Sequence, residues 1–209
     1  GETGSRSEGR GAAGGGVGGV QGLGGAEHTG IPDVLGAGTY AIAVVAAGGG
    51  LRLDCSRPED LNVVLLKLEL AGAHVEVGDG WFRVGRNPKT RLKPVDMSTW
   101  TYPGFPTDLQ AQYMAMMTQA DGETVISEYV HENRFQHVNQ LAKMGAGINV
   151  EGRLHAIVPG PARLRGTEVA IPDIRSGAAL VIAALCAEGE SILHNAWHVD
   201  RGYENMPGK

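Results

Sequence analysis

The sequence predicts an α/β (α+β) fold built from repeated βαβαββ subdomains. Three observations carry this reading. A proline-containing lead-in to a helix recurs at Ile31-Pro32-Asp33, Phe105-Pro106-Thr107-Asp108 and Ile171-Pro172-Asp173, roughly seventy residues apart. Each lead-in is followed by the same succession of helical run, glycine turn and alternating strand. A period of that length is too long for a solenoid repeat and suits a compact α/β unit.

The elements follow in order. In the first copy, about residues 20–95, residues 39–47 read as a helix, 48–50 as a glycine turn and 51–55 as an alternating strand. Pro58, with Glu59 and Asp60 behind it, starts a second helix over 61–70. Ala71-Gly72-Ala73 stops it and a strand over 74–77 follows. In the second copy, about 96–165, Pro103, Gly104 and Pro106 hold the backbone out of a helix. Thr107 and Asp108 are N-cap candidates for the helix that runs from Leu109 through Met117 to Ala120. A carboxylate beside the positive end of a helix is also a plausible polar site, so capping and function both stand open for Asp108. Asp121-Gly122 then turns the chain into a strand over 124–128, a helix spans 135–144, and a strand covers 147–150. The third copy, 166–209, gives a helix over 178–187, a turn at Glu188-Gly189 and a strand over 191–194. The second helix and later strands of the other copies have no counterpart before Lys209, so the third copy is expected to be truncated and the chain to be a fragment.

Composition bounds the function. Apolar residues make up 42% and charged residues 20%, ordinary for a globular protein. No apolar run approaches the roughly 18 residues of a membrane span, and the first residues do not read as an export signal. A net charge of −5 supplies no basic surplus for nucleic acid. Two cysteines, Cys55 and Cys186, suggest neither a disulfide framework nor a thiolate metal site and fit a reducing cytoplasm. The seven histidines form no HExxH pattern. Residues 1–19, rich in glycine and poor in large apolar side chains, are expected to be disordered. The run from Gly14 to Gly19 lacks the Lys-Ser/Thr of a phosphate loop.

Four motifs remain: residues 105–112, Glu132-Asn133-Arg134-Phe135, Asp173-Ile174-Arg175-Ser176 and Asp200-Arg201-Gly202-Tyr203-Glu204. In their order and spacing they resemble the UDP-N-acetylglucosamine enolpyruvyl transferases, from about Val20 to the end, which corresponds to the second half of such an enzyme. The resemblance implies an inside-out α/β barrel domain of the enolpyruvyl transferase type. It also implies transfer of the enolpyruvyl group of phosphoenolpyruvate to the 3-hydroxyl of UDP-N-acetylglucosamine, with release of phosphate. That is the first committed step of peptidoglycan synthesis, carried out in the cytoplasm without metal or organic cofactor. By the same resemblance Asp108 is the base that takes the hydroxyl proton, and Thr107 sits beside it on the sugar. Val130 meets the nucleotide sugar through its backbone. Glu132 and the arginines Arg134, Arg175 and Arg201 belong to the substrate site. Guanidinium groups suit a ligand that carries both carboxylate and phosphate. Read from the residues alone, these arginines are better taken as surface ion pairs, Glu132 with Arg134 for example.

The expected partners are the two substrates and the enzyme's other domain, with neither nucleic acid nor membrane. The family's reactive cysteine lies on that other domain, so neither Cys55 nor Cys186 takes its place, and the isolated chain is expected to be inactive. Val34 and Gly36 replace charged residues usual in the first lead-in of the family. His131 stands where an aromatic is common. Two alternatives remain: an enolpyruvylshikimate phosphate synthase-like enzyme, and a non-catalytic remnant that keeps the fold.

Overall fold

The computed structural model describes residues 6–8, 16–19, 21–22, 24–54 and 56–208. Residues 1–32 and 33–209 form separate compact units. In the first unit, strands β1 (Arg6–Glu8) and β2 (Gly16–Gly18) pair antiparallel, with Ser7 opposite Val17. The expectation of disorder for the rest of 1–19 falls outside the described residues, apart from Gly19.

The second unit is organised around three helices: α1 (Val34–Ala47), α3 (Gln110–Met117) and α5 (Ile174–Cys186), which pack on one another. All eight residues of α3 are buried, including Gln110 and Gln112. A helix buried on every side belongs at the centre of a core. Gln112 is accommodated there by polar partners: its Nε2 donates to Thr39 Oγ1 of α1 at 3.2 Å and to Tyr203 Oη at 3.3 Å. Gly38 lets α1 approach Leu109, just ahead of α3, closely, since a Cβ there would stand 2.4 Å from Leu109 Cδ1.

Sheets lie against these helices. After α1 come β3 (Gly49–Asp54), a 3-10 turn over Pro58–Leu61, α2 (Asn62–Leu70), β4 (His74–Gly78) and β5 (Trp81–Arg86). These strands form an antiparallel sheet in the order β3-β5-β4, with Val84 opposite both Leu51 and Val75. Phe82 and Val84 are buried while Arg83 between them is exposed, the alternation of a sheet with one face on a core. Next are β6 (Met97–Ser98), α3, β7 (Glu123–Ser127), α4 (Val138–Lys143), β8 (Asn149–Glu151) and β9 (His155–Pro159). Their sheet runs β6-β7-β9-β8, parallel between β6 and β7 and antiparallel elsewhere. The chain continues through β10 (Glu168–Ala170), α5 and β11 (Ile192–His194), with β10 and β11 parallel, and then the short α6 (Trp197–Asp200).

Several boundaries differ from the sequence reading. Helix α1 begins at Val34 and not at Thr39, because Asp33 accepts from Leu35 N at 3.0 Å and caps it. Helix α5 begins at Ile174 and not at Ala178 for the same reason: Asp173 Oδ1 accepts from Arg175 N and Ser176 N. Helix α4 is shorter than 135–144. The three glycines after α1 split between its end and β3, with Gly48 at φ +83°. The expected strand position of Cys55 lies outside the described residues. Cys186 is the last residue of α5, not a mid-helix one, and burial pushes its thiol up to about 11. No helix among the described residues is long and apolar enough to cross a membrane.

Candidate active site

The middle lead-in differs from its two neighbours by one residue. Where Asp33 and Asp173 directly follow proline and cap α1 and α5, Thr107 follows Pro106 and the aspartate comes one position later. Residues Thr107–Leu109 form a 3-10 turn before α3, and no side chain caps either element. This corrects the capping role expected of Asp108. Its carboxylate is 43% exposed and turns to two arginines.

Arg134 comes from the loop before α4. Asn133 ahead of it adopts φ +59°, a left-handed conformation that asparagine tolerates better than most side chains. The Arg134 guanidinium, only 12% exposed, donates through Nη1 to Thr107 O, Thr107 Oγ1 and Asp108 Oδ1, each within 3.1 Å. Arg175, in the first turn of α5, places Nε 2.5 Å from the same oxygen. Three elements distant in sequence therefore meet on Asp108 Oδ1. Among the described residues Oδ2 carries no hydrogen bond, so one oxygen is held and the other is open.

The electrostatics are those of a cation-rich recess. Burial and then the adjacent Arg175 push the Arg134 guanidinium below its ordinary value, opposed by Asp108, Glu128 and Asp173. Burial disfavours the Asp173 carboxylate, but hydrogen bonds from Ser176 N, Ser176 Oγ and Arg175 N more than offset it and hold the group below its ordinary value. His137 is fully buried. Burial first, with Arg134 adding to it, brings its imidazole down to about 4, so it is neutral at pH 7. Its Nε2 lies 3.2 Å from Met114 Sδ of α3. Arg134, His137, Asp173 and Arg175 line a cavity of about 260 Å³ together with His131 and Asn133. Among the described residues no group of three or more His, Cys, Asp or Glu is arranged to hold a metal.

The other residues singled out from sequence are placed as follows. Val130 is exposed, and its N–H donates to Glu128 Oε1 at 2.9 Å. Glu132 is exposed and does not take Arg134 as its partner, contrary to the surface pair expected, because Arg134 is drawn into the recess by Thr107 and Asp108. Arg201 ends α6 and lies over the Trp197 ring at 5.9 Å; it does not line the cavity. The sequence reading passed over Glu128, a fully buried carboxylate just past β7 that bonds Thr99, Thr107 and two backbone amides. The available signal was a carboxylate at the end of the alternating strand read over 124–128, four residues before the Glu132–Phe135 motif begins.

The family model for EPSP synthase (3-phosphoshikimate 1-carboxyvinyltransferase) matches residues 9–209. UDP-N-acetylglucosamine 1-carboxyvinyltransferase from Beijerinckia indica is 48% identical over 191 residues, covering 91% of this chain and 44% of the relative. The protein of that name from Rhodopseudomonas palustris is 47% identical over the same shares. Among solved structures, the enolpyruvyl transferase NikO from Streptomyces tendae matches with a TM-score of 0.77 at 26% identity, over 98% of this chain and 49% of that one. EPSP synthase from Acinetobacter baumannii shares the fold, with a TM-score of 0.61 at 16% identity over 77% of this chain and 38% of that one. The chain thus spans about half the length of the relatives it matches. With nearly all of its length matched by the family model and close to half of its aligned residues identical to curated relatives, the chain belongs to the EPSP synthase (3-phosphoshikimate 1-carboxyvinyltransferase) family.

Proposed function

We propose that the chain is the base-bearing domain of a UDP-N-acetylglucosamine 1-carboxyvinyltransferase, a cytoplasmic enzyme of peptidoglycan synthesis, and that it works with a second domain of the same enzyme. One observation carries the assignment of the base: two guanidinium groups grip Asp108 Oδ1 while Oδ2 remains open. An anchored carboxylate with one free oxygen suits removal of a proton from a hydroxyl. The sugar 3-hydroxyl oxygen bonds to the substituted vinyl carbon of phosphoenolpyruvate as its proton passes to Asp108 Oδ2. The terminal vinyl carbon gains a proton from a donor on the other domain. The tetrahedral adduct then eliminates phosphate as its methyl group returns a proton to the deprotonated donor and Asp108 gives its proton to the departing phosphate, restoring the double bond on the new ether.

Arg134 and Arg175, besides holding Asp108, line the cavity where the carboxylate and phosphate of phosphoenolpyruvate would be received. Arg201 completes that set once substrate and the second domain are present. Val130 offers its carbonyl to the nucleotide sugar, since its N–H is already taken by Glu128. Glu132 faces the same ligand from the loop. The inside-out barrel is the architecture we favour. Its support is the wholly buried α3 between α1 and α5, and the strand order shared by β3-β5-β4 and β7-β9-β8.

The test is phosphate release from phosphoenolpyruvate and UDP-N-acetylglucosamine. The isolated chain should release none. In the complete enzyme Asp108→Asn should lower turnover by about a thousandfold or more while the fold persists. Near-normal turnover in that variant removes Asp108 from the base role. Shikimate 3-phosphate, the acceptor of the rival reading, should not replace the nucleotide sugar.

A further inference from the structure

Glu128 takes no part in the chemistry described so far, yet four donors converge on it. Its side chain is fully buried. Thr99 Oγ1 donates to Oε1 at 2.7 Å, and the N–H groups of Val130 and His131 donate to the same oxygen at 2.9 Å each. Thr107 Oγ1 donates to Oε2 at 2.9 Å. Thr99 Oγ1 in turn accepts from Tyr129 N at 3.0 Å, so its own proton is committed to Glu128. One carboxylate thereby ties the end of β6, the lead-in to α3 and the loop 129–131 into a single unit. The absence of a basic side chain from this set is chemically meaningful: amides and hydroxyls satisfy the charge, which keeps both arginines for the cavity.

The consequence falls on Thr107. A hydroxyl has one proton and two acceptor lone pairs. Thr107 Oγ1 faces Glu128 on one side and Arg134 Nη1, at 3.0 Å, on the other. A guanidinium only donates and an ionised carboxylate only accepts, so the hydroxyl proton points to Glu128 and a lone pair points to Arg134. We propose that Glu128 is a positioning residue which, through Thr107 and the Val130 and His131 amides, fixes the polarity of the hydroxyl beside Asp108 and thereby the placement of Arg134. The functional half of this statement rests on the transferase reading; the hydrogen-bond polarity does not.

Glu128→Gln is the informative change because it keeps the shape and reverses one bond. Three donors meet at Oε1, so the amide oxygen must occupy that position. The amide NH2 then takes the place of Oε2 and donates to Thr107. Thr107 would accept from both sides, and its proton would swing away from Glu128.

The first arm of the test needs no ligand. In the 209-residue chain, proton NMR should find the Thr107 hydroxyl in slow exchange, with a nuclear Overhauser contact to the Glu128 methylene protons. In Glu128→Gln that contact should be lost. A hydroxyl that shows no such contact in the unsubstituted chain, or keeps it in the variant, overturns the proposal. The unsubstituted chain alone decides the matter should Glu128→Gln not fold.

The second arm measures, in the complete enzyme, the Kd of UDP-N-acetylglucosamine by calorimetry for the unsubstituted protein, Glu128→Gln, Thr107→Val and the double variant. Each single change should weaken binding by about tenfold, and the double variant by no more than either, because both act through one hydroxyl. Multiplying losses, or an unchanged Kd in Glu128→Gln, overturn the coupling. A complete, unsubstituted enzyme with no measurable affinity for the nucleotide sugar counts against the transferase reading, and the first arm still decides the role of Glu128.

Discussion

A buried neutral histidine beside Arg134 should make stability depend on pH between about 4 and 6.5. His137 ordinarily titrates at 6.5, and in the folded chain burial brings it down to about 4. Between those values the unfolded chain binds a proton that the folded chain refuses. Folding is therefore most favoured above 6.5, and stability is lost as pH falls toward 4. Linkage converts the full displacement into on the order of 3 kcal/mol, of which about 2 kcal/mol is lost between pH 7 and pH 5. Asp173, held below its ordinary 3.8, also favours folding at higher pH, but its contribution disappears only below that value and stays out of the window. The assay is urea unfolding at pH 7 and pH 5 for the unsubstituted chain and for His137→Gln. The glutamine chain can be more or less stable overall; what matters is that its pH 7 to pH 5 loss should be smaller by about 2 kcal/mol. Equal losses in both chains would refute the reasoning. So would a proton NMR titration of the His137 ring with a midpoint near 6.5, and that measurement serves if the variant does not fold.

Three further outcomes follow from packing and hydrogen bonding. Gly38→Ala should lower the melting temperature: the new Cβ would meet Leu109 Cδ1 at 2.4 Å, and overpacking of about 1–3 kcal/mol outweighs the helix propensity gained. A higher melting temperature would mean that α1 and α3 are less tightly apposed than described. Tyr203→Phe should cost about 1–2 kcal/mol in denaturant titrations, because its buried hydroxyl joins Thr39 and Gln112 at 2.9 and 3.3 Å. Arg86→Ala should cost about 1.5–3 kcal/mol and speed amide exchange in the last turn of α1. The guanidinium donates to the carbonyl oxygens of Val45 and Ala46 at 2.6 and 2.9 Å.

Local chemistry was legible in the sequence where it was decided locally. The alternation of residues 51–54 falls inside β3, the helix read over 61–70 matches α2 to within one residue, and Gly72, at φ +104°, marks the stop after α2. The first turns of α1 and α5 were missed because Gly36, Gly38 and Gly177 lower helix propensity there, whereas the Asp33 and Asp173 caps set the start. Strands β5 and β9 went unread although Gly80 and Gly152, at φ +69° and +63°, sit in the turns before them. A Gly-Asp-Gly between two alternating runs is a hairpin signal in its own right. The convergence of Arg134 and Arg175 on one oxygen of Asp108 could not be read locally, since it joins segments 26 and 67 residues apart. The buried role of Glu128 was hidden for the same reason: its donors come from Thr99, Thr107 and its own loop, and only the folded chain brings them together.

The threonine inserted after Pro106 has a meaning for how this chain divides its resources. Two of its three core helices spend an aspartate on their own first turn, and the central one leaves its first turn without any side-chain acceptor. Forgoing a cap costs a helix about 1 kcal/mol. The most deeply buried helix is the one best able to tolerate that loss, because neighbours on every side hold it in place. Removing Thr107 would bring Asp108 back to the capping position, exchanging a carboxylate held by two arginines for a firmer helix. The chain keeps the weaker helix start and the freer acid at the same place, one residue out of step with its neighbours.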